Sequence, residues 1–438
     1  MLYKAPQLFQ HHFGKVPALV VADANTFKLA GRSVQDGLSR AGHACLEPFI
    51  YSDPALYAEH RFVAQLEERL NGNHAIPVAV GSGTINDLTK LAAHRTARSY
   101  LCVATAASMD GYTAFGASIT HKGLKQTFTC PAPRAVLADT GIIAHAPAEM
   151  NAAGYADLLA KVTAGADWIL ADALGVEHIH REAWHLVQGG LRELLAQPKA
   201  VADREPRAVG LLVEGLMLSG FAMQAAQSSR AASGAEHQFS HLWDMEHHTH
   251  NGQTPSHGFK VGIATLAVTA LYEYLLQQPL QELDVDECCA VWADEARLKE
   301  SAGGFFADRA LREAALHESS AKQISRDALR TQLLKLQSMW PEVSRKLRAQ
   351  LMPLAEVKAK LRAVGAPSEP EQIGITRERL CGSFIKAWFI RRRFTVLDVI
   401  VRVNRLDDAL LHMFGPDGAW PLGSPLLASD TPGLKAQA

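Results

Sequence analysis

The stretch Ile76-Pro-Val-Ala-Val80, running into Gly81-Ser-Gly-Thr-Ile-Asn-Asp87, decides the fold. A short apolar run closed by a glycine-rich turn reads as a buried strand. The residues after the turn, through His94, have helical spacing, so the glycines stand between a strand and a helix. Glycines there let the backbone approach a ligand, and a helix start offers unbonded N–H groups and a positive dipole end. The turn is neither a Walker P-loop nor a GxGxxG fingerprint. Phosphate binding and a plain strand-to-helix connection both fit it.

The same texture extends on both sides. Residues 17–23 read as a strand ending in an acid, 26–42 as a helix with a glycine stop, 44–51 as a second strand and 55–70 as a second helix. Residues 100–105 and 134–139 give a fourth and a fifth strand. Residues 116–129, with Gly123 in the middle, read as a β-hairpin. Strands alternating with helices imply parallel pairing through right-handed crossovers. From Pro147 to Val403 the chain is rich in Ala, Leu, Glu and Arg with helical periodicity. The expected architecture is an α/β, Rossmann-like domain with a parallel sheet over residues 1–145, followed by an all-α domain over 146–438. A long charged helical stretch runs from 285 to 361, and the tail after Gly415 reads as irregular.

Composition narrows the functions. Of 438 residues, 48% are apolar and 20% charged, which describes a globular protein. Lys plus Arg number 44 against 45 Asp plus Glu, giving a formal charge of −1. Nucleic acids and acidic membranes recruit basic surfaces, so neither is an expected partner. No apolar run reads as a membrane span and no secretory signal is visible. Six cysteines without CxxC spacing suit a reducing cytoplasm.

Histidine is the outlier. Six of the 19 (His237, His241, His247, His248, His250 and His257) fall within 21 residues. His237 and His241 share a helical face at i, i+4, and His257 precedes an apolar helix. Imidazoles with one oxygen ligand suit a catalytic divalent metal. Asp157, in an apolar segment where a lone carboxylate is costly, is the candidate oxygen ligand. An exposed helix face explains the HxxxH pair equally well, and His247, His248 and His250 read as a solvated loop. At the nucleotide end, Asp23 closes the first strand and can take a ribose hydroxyl or cap the next helix. The loop Ala104-Thr-Ala-Ala-Ser-Met-Asp-Gly111 follows the fourth strand, where ligands of open parallel sheets sit.

Five ordered motifs carry a resemblance: residues 81–87, Ser-Met-Asp-Gly at 108–111, Ala-Asp-Leu-Leu-Ala-Lys at 156–161 with Ala-Asp-Trp at 166–168, Ser-Gly-Ala-Glu-His-Gln-Phe-Ser-His at 233–241, and Ser-His-Gly at 256–258. In this order they resemble the sn-glycerol-1-phosphate dehydrogenases, bacterial branch, within the iron-containing alcohol dehydrogenase, glycerol dehydrogenase and dehydroquinate synthase superfamily. The resemblance covers about residues 20–262 and resumes at 390–406. It implies a dehydroquinate synthase-like fold with the active site in the cleft between its domains. It also implies NAD or NADP on Asp23, Gly81, Gly83, Thr84, Ile85, Asn86, Asp87, Thr105, Ala106 and Ser108. One divalent metal, zinc first with nickel or iron as alternatives, falls to Asp157, His237 and His257. Asp110 and His241 fall at catalytic and substrate positions, with Asp157 also toward the substrate. Family members often have Ser or Thr where Ala114 stands, and Pro-Thr where Ala104-Thr105 stands; Ala114 removes a hydrogen bond that the resemblance implies for the cofactor.

The function these features imply is interconversion of dihydroxyacetone phosphate and glycerol 1-phosphate by hydride transfer at C2, in a cytoplasmic homo-oligomer, a dimer or larger. Lys122, Lys125 and Lys260 are the candidate cations for the phosphate. The alternatives are a polyol or alcohol dehydrogenase with an unphosphorylated substrate, a dehydroquinate synthase-type cyclase, and a nucleotide-sensing protein without activity.

Overall fold

The computed structural model describes residues 1–121 and 124–423. Lys122, Gly123 and the tail beyond residue 423 lie outside the described residues. The chain forms two compact units that interleave along the sequence. One comprises Met1–Leu158, His185–Ser229 and Ala363–Ala366; the other comprises Leu159–Trp184, Arg230–Arg362 and the chain from Pro367 onward.

The first unit is built on a five-stranded parallel sheet. Its strands are β1 (Ala18–Asp23), β2 (Phe49–Tyr51), β3 (Ile76–Gly81), β4 (Leu101–Ala104) and β7 (Ala135–Ala138), in the order β2-β1-β3-β4-β7. Val20 lies opposite Val78, and Val103 opposite Leu137. Helices cover both faces, so these strands read as near-continuous apolar runs. One face packs Val20, Val78, Val80, Leu101 and Val103 against Phe9, Val34 and Leu38 of the flanking helices. Each such side chain stabilises the fold by roughly 1.5–3 kcal/mol on burial.

The expected hairpin is present: β5 (Ala117–His121) pairs antiparallel with β6 (Leu124–Phe128), Ser118 opposite Thr127. Two sequence expectations ran long. The second strand shrinks to three residues plus a single bridge from Cys45 to Ala18, because Pro48 has no N–H to continue the ladder. The second helix begins at His60 rather than 55, since the Asp53 carboxylate accepts the Ala55 N–H at 2.9 Å and holds a turn there.

The second unit is helical. Asp167 is its hub. The buried carboxylate accepts from Tyr272 Oη (2.6 Å), Ala235 N (2.7 Å) and Val396 N (2.8 Å). One side chain thereby ties the helix Lys161–Leu174 to Ala235–Met245, His257–Gln277 and Val396–Arg402. The charged stretch folds as Val285–Val291, Glu295–Phe305, Arg309–Ser320, Arg326–Gln350 and Leu354–Val364.

Among the described residues, two helices are long and apolar enough to cross a membrane by length and composition, Pro206–Ala226 and His257–Gln277. Their apolar windows are 56% and 89% buried within the protein, as core helices are. The six cysteines are all free thiols.

Candidate functional site

The strand order places a topological switch point between β1 and β3, whose chain neighbours lie on opposite sides. Ligands of open parallel sheets bind at such a point, beyond the carboxyl ends of the strands. Asp23 ends β1, Gly81 ends β3 and Thr105 follows β4, with Thr105 N donating to Gly81 O at 3.1 Å.

The helix Gly83–Arg95 starts at the Gly81 turn, and its N-cap Ser82 makes no side-chain cap bond. The first-turn amides therefore retain their donor capacity. Gly81 is required by packing, since a Cβ there would stand 2.6 Å from Ile85. Ile85 and Asn86 turn inward. Asn86 bonds Tyr100 Oη (2.9 Å), Asp87 Oδ1 (3.2 Å) and Gly111 O (3.4 Å). Asp23 Oδ1 accepts from Asn25 N (2.8 Å) and Thr26 N (2.9 Å), forming a capping box with Thr26. The helix consequently starts at Ala24, two residues before its expected start.

The loop after β4 is fastened by the helix Ala148–Leu159. Asn151 Oδ1 accepts Ala107 N (3.3 Å), and Asp157 Oδ2 accepts Asp110 N (3.1 Å). Gly154 lies so close that a Cβ would stand 1.9 Å from Ala107 O. Ser219 Oγ donates to Asp110 Oδ2 at 2.9 Å, and Tyr112 Oη to Ala106 O at 2.6 Å. Asp110 and Asp157, expected at the substrate and the metal, are thus joined directly. Asp157 is fully buried.

In the second unit the helix Ala235–Met245 presents His237 and His241, and His257 opens the helix His257–Gln277. The ring centroids of His237 and His257 are 5.3 Å apart, and His241 lies 6.4 and 6.5 Å from them. Ring nitrogens of His237 and His257 come within 4.8 Å of each other. His237 Nδ1 bonds Glu236 Oε1 at 2.8 Å, which turns Nε2 to the side away from that carboxylate.

Glu236 is wholly buried. It also accepts from Gly234 N (2.6 Å) and Thr163 Oγ1 (2.8 Å). Burial raises its pKa, but the His237 bond and charge and the two other donors outweigh that, holding the carboxyl below its usual range. Burial, then the charge of Glu236, push Asp167 upward.

Other expectations change. His248 is not a solvated loop residue. It is buried, with Nε2 on Ile373 O at 2.6 Å and Nδ1 on Arg379 Nη1 at 2.6 Å. Lys260 is buried in an ion pair with Asp244. Sequence reasoning also missed Lys90, Ser219 and Glu236. Of these, only Glu236 carried a signal: an acid next to a candidate ligand histidine.

The chain thus holds a parallel-sheet unit with a helix start at its switch point, and a helical unit with two neighbouring histidines, one of them bonded to a buried carboxylate. The family described as iron-containing alcohol dehydrogenase matches residues 1–147. The chain belongs to the glycerol-1-phosphate dehydrogenase family. It is 35% identical over 267 residues to the NAD(P)+ glycerol-1-phosphate dehydrogenase of Halalkalibacterium halodurans, covering 60% of this chain and 67% of that one. It is 34% identical over 256 residues to the enzyme of that name from Methanosarcina barkeri, covering 58% and 69%. The matches thus span about two thirds of the relatives' length. In fold it is similar to glycerol dehydrogenase of Schizosaccharomyces pombe, with TM-score 0.58, 14% identity, and 93% and 88% of the chains covered. It is also similar to an NADH-dependent butanol dehydrogenase of Thermotoga maritima, with TM-score 0.57, 13% identity, and 99% and 93% covered.

Proposed function

We propose that this protein is a metal-dependent, NAD(P)-linked glycerol-1-phosphate dehydrogenase that interconverts dihydroxyacetone phosphate and glycerol 1-phosphate by hydride transfer at C2. The observation that carries the reading is the pair His237–His257 with Glu236 behind it, in a chain whose relatives bear that name. The donor set suits one divalent ion. Two imidazole nitrogens within 4.8 Å can both reach an ion bonded at about 2.0–2.1 Å with a small shift of either ring. Asp157, His237 and His257 would hold it. When bound, such an ion polarises the C2 oxygen and the nicotinamide supplies the hydride.

The chain's own residues do the rest. The amides of Gly83 and Thr84, the loop 105–108, Asp23 and Asp87 are the residues that would hold the dinucleotide. Asn86 keeps the loop at Gly111 in place. Asp110, fixed by Ser219, orients a substrate hydroxyl. His241 exchanges the C2 proton, directly or through water. We infer also, from the family resemblance, a cytoplasmic homo-oligomer.

One observation favours a second reading, a dehydrogenase of unphosphorylated polyols: Lys260, a candidate phosphate cation, is paired with Asp244. Following NADH and NADPH oxidation with dihydroxyacetone phosphate and with dihydroxyacetone decides between the two. Turnover of the unphosphorylated ketone alone overturns the first reading.

A further inference from the structure

The helix Lys161–Leu174 packs against Ala235–Met245, which carries His237 in its first turn. Thr163, in the first turn of Lys161–Leu174, is fully buried. Buried helical threonines commonly return the hydroxyl to their own backbone. Thr265 does so on Val261 O at 2.8 Å, and Thr269 on Thr265 O at 2.7 Å. Thr163 differs. Ala160 O lies 3.0 Å from its hydroxyl, but Glu236 Oε2 is closer, at 2.8 Å. A hydroxyl has one proton to give, and an ionised carboxylate accepts it more strongly than a carbonyl does. The bond therefore crosses from one helix to the other.

The two oxygens of Glu236 have different partners. Oε1 accepts from Gly234 N at 2.6 Å and bonds His237 Nδ1 at 2.8 Å. Oε2 accepts from Thr163, and among the described residues no other donor is bonded to it. A carboxylate held at one oxygen alone can still turn about its last C–C bond. Held at both, its plane is fixed, and with it the direction in which it grips the imidazole. Gly234 leaves room for this arrangement. A Cβ there would stand 2.9 Å from Glu236 Oε2 and 2.4 Å from Asp167 Oδ2. Asp167 Oδ2 is occupied by Ala235 N, at 2.7 Å.

Three buried groups thus form a chain that ends at a candidate metal ligand: the Thr163 hydroxyl, the Glu236 carboxylate and the His237 ring. Ligand rings bind a metal tightly when bonded partners lock their orientation. Branching at Cβ restricts the Thr163 rotamer, so the far end of the chain is stiff as well.

We propose that Thr163 is a positioning residue, which through Glu236 fixes the direction of the His237 ring and so sets the affinity of the site for a divalent ion. The proposal rests on the metal-dependent reading above.

The test is zinc affinity by chelator competition, with the absorption spectrum of the cobalt(II)-loaded protein as a second readout. Thr163→Val keeps the shape and removes the hydroxyl. It should bind zinc about 3- to 30-fold more weakly and shift or broaden the cobalt bands. Thr163→Ser restores the donor and should stay within about twofold of the wild type. Thr269→Val removes a buried hydroxyl that does not touch Glu236, and should leave zinc affinity and spectrum unchanged. Zinc binding in Thr163→Val equal to the wild type overturns the proposal. So does a loss as large in Thr163→Ser or Thr269→Val, because the hydroxyl at 163 is then not the cause. If Thr163→Val does not fold, Thr163→Cys decides in its place: it keeps only a weak donor and should lose at least about threefold. A wild-type chain that binds neither zinc nor cobalt overturns the metal reading itself, whereas wild-type binding matched by the variant overturns this proposal alone.

Discussion

Lys90 places its ammonium inside the first unit, donating to Gly111 O (2.8 Å), Ala114 O (2.9 Å) and Gly116 O (3.0 Å), and 3.8 Å from Asp87. It fixes the backbone at Ala114. Lys90→Met should cost about 3 kcal/mol or more, because it strands three carbonyls and a carboxylate. Burial holds Asp87 above its ordinary value against the pull of Lys90. The stability from a carboxyl raised in the folded state is complete below its unfolded pKa of about 4 and lost as pH rises through the folded value. Losing Lys90 raises Asp87 further, so the variant should lose more at pH 7 than at pH 4, read from urea midpoints at both. Glu236→Gln removes the charge behind His237 while keeping its shape. Metal affinity should fall about 10- to 100-fold in chelator competition. His248→Ala should cost about 1–3 kcal/mol through its lost bonds to Ile373 and Arg379, with bound metal unchanged by elemental analysis. The pairing of His237 with His241 was legible in the sequence because helical periodicity fixes which residues share a face, while His257 starts another helix and was linked to them only through the resemblance. The environment of His248 was not, since its partners lie more than a hundred residues away.

Among the elements, two glycines separate packing from access. A Cβ on Gly154 meets the carbonyl of Ala107, which cannot move without dragging the loop that carries Asp110. A Cβ on Gly83 meets only the Met109 side chain, its terminal methyl at 2.6 Å and Cγ at 3.2 Å. Gly154→Ala should lower stability by about 1–3 kcal/mol and disturb activity. Gly83→Ala should fold nearly as well yet bind NADH more weakly, by fluorescence titration. Equal folding of the two variants would refute the packing argument. The strands and their parallel pairing were readable because apolar runs, glycine stops and the intervening helices are local. The fastening of the 105–111 loop by Asn151, Gly154, Asp157 and Ser219 was not, because nothing in those residues' spacing says which loop they face. Asp23 shows a third case, where a ribose role and a cap were open on sequence and the cap is what its bonds show.

For the molecule as a whole, the metal is expected to bind the folded chain alone. Treatment with a chelator should lower the melting temperature and abolish activity, and adding back zinc, nickel or iron(II) singly should identify the ion by which restores both. The sequence announced an α/β part and a helical part because hydrophobic period changes near Pro147. It did not announce that the chain leaves the first unit and re-enters it twice, at His185–Ser229 and Ala363–Ala366, since no local pattern encodes a return. That interleaving constrains synthesis. The sheet strands emerge from the ribosome first, but the last segment of their unit follows by roughly ten seconds or more at ordinary translation rates. During that interval the parallel sheet exists without its full complement of chain. A nascent polypeptide stalled after residue 158 is therefore the species most in need of a chaperone.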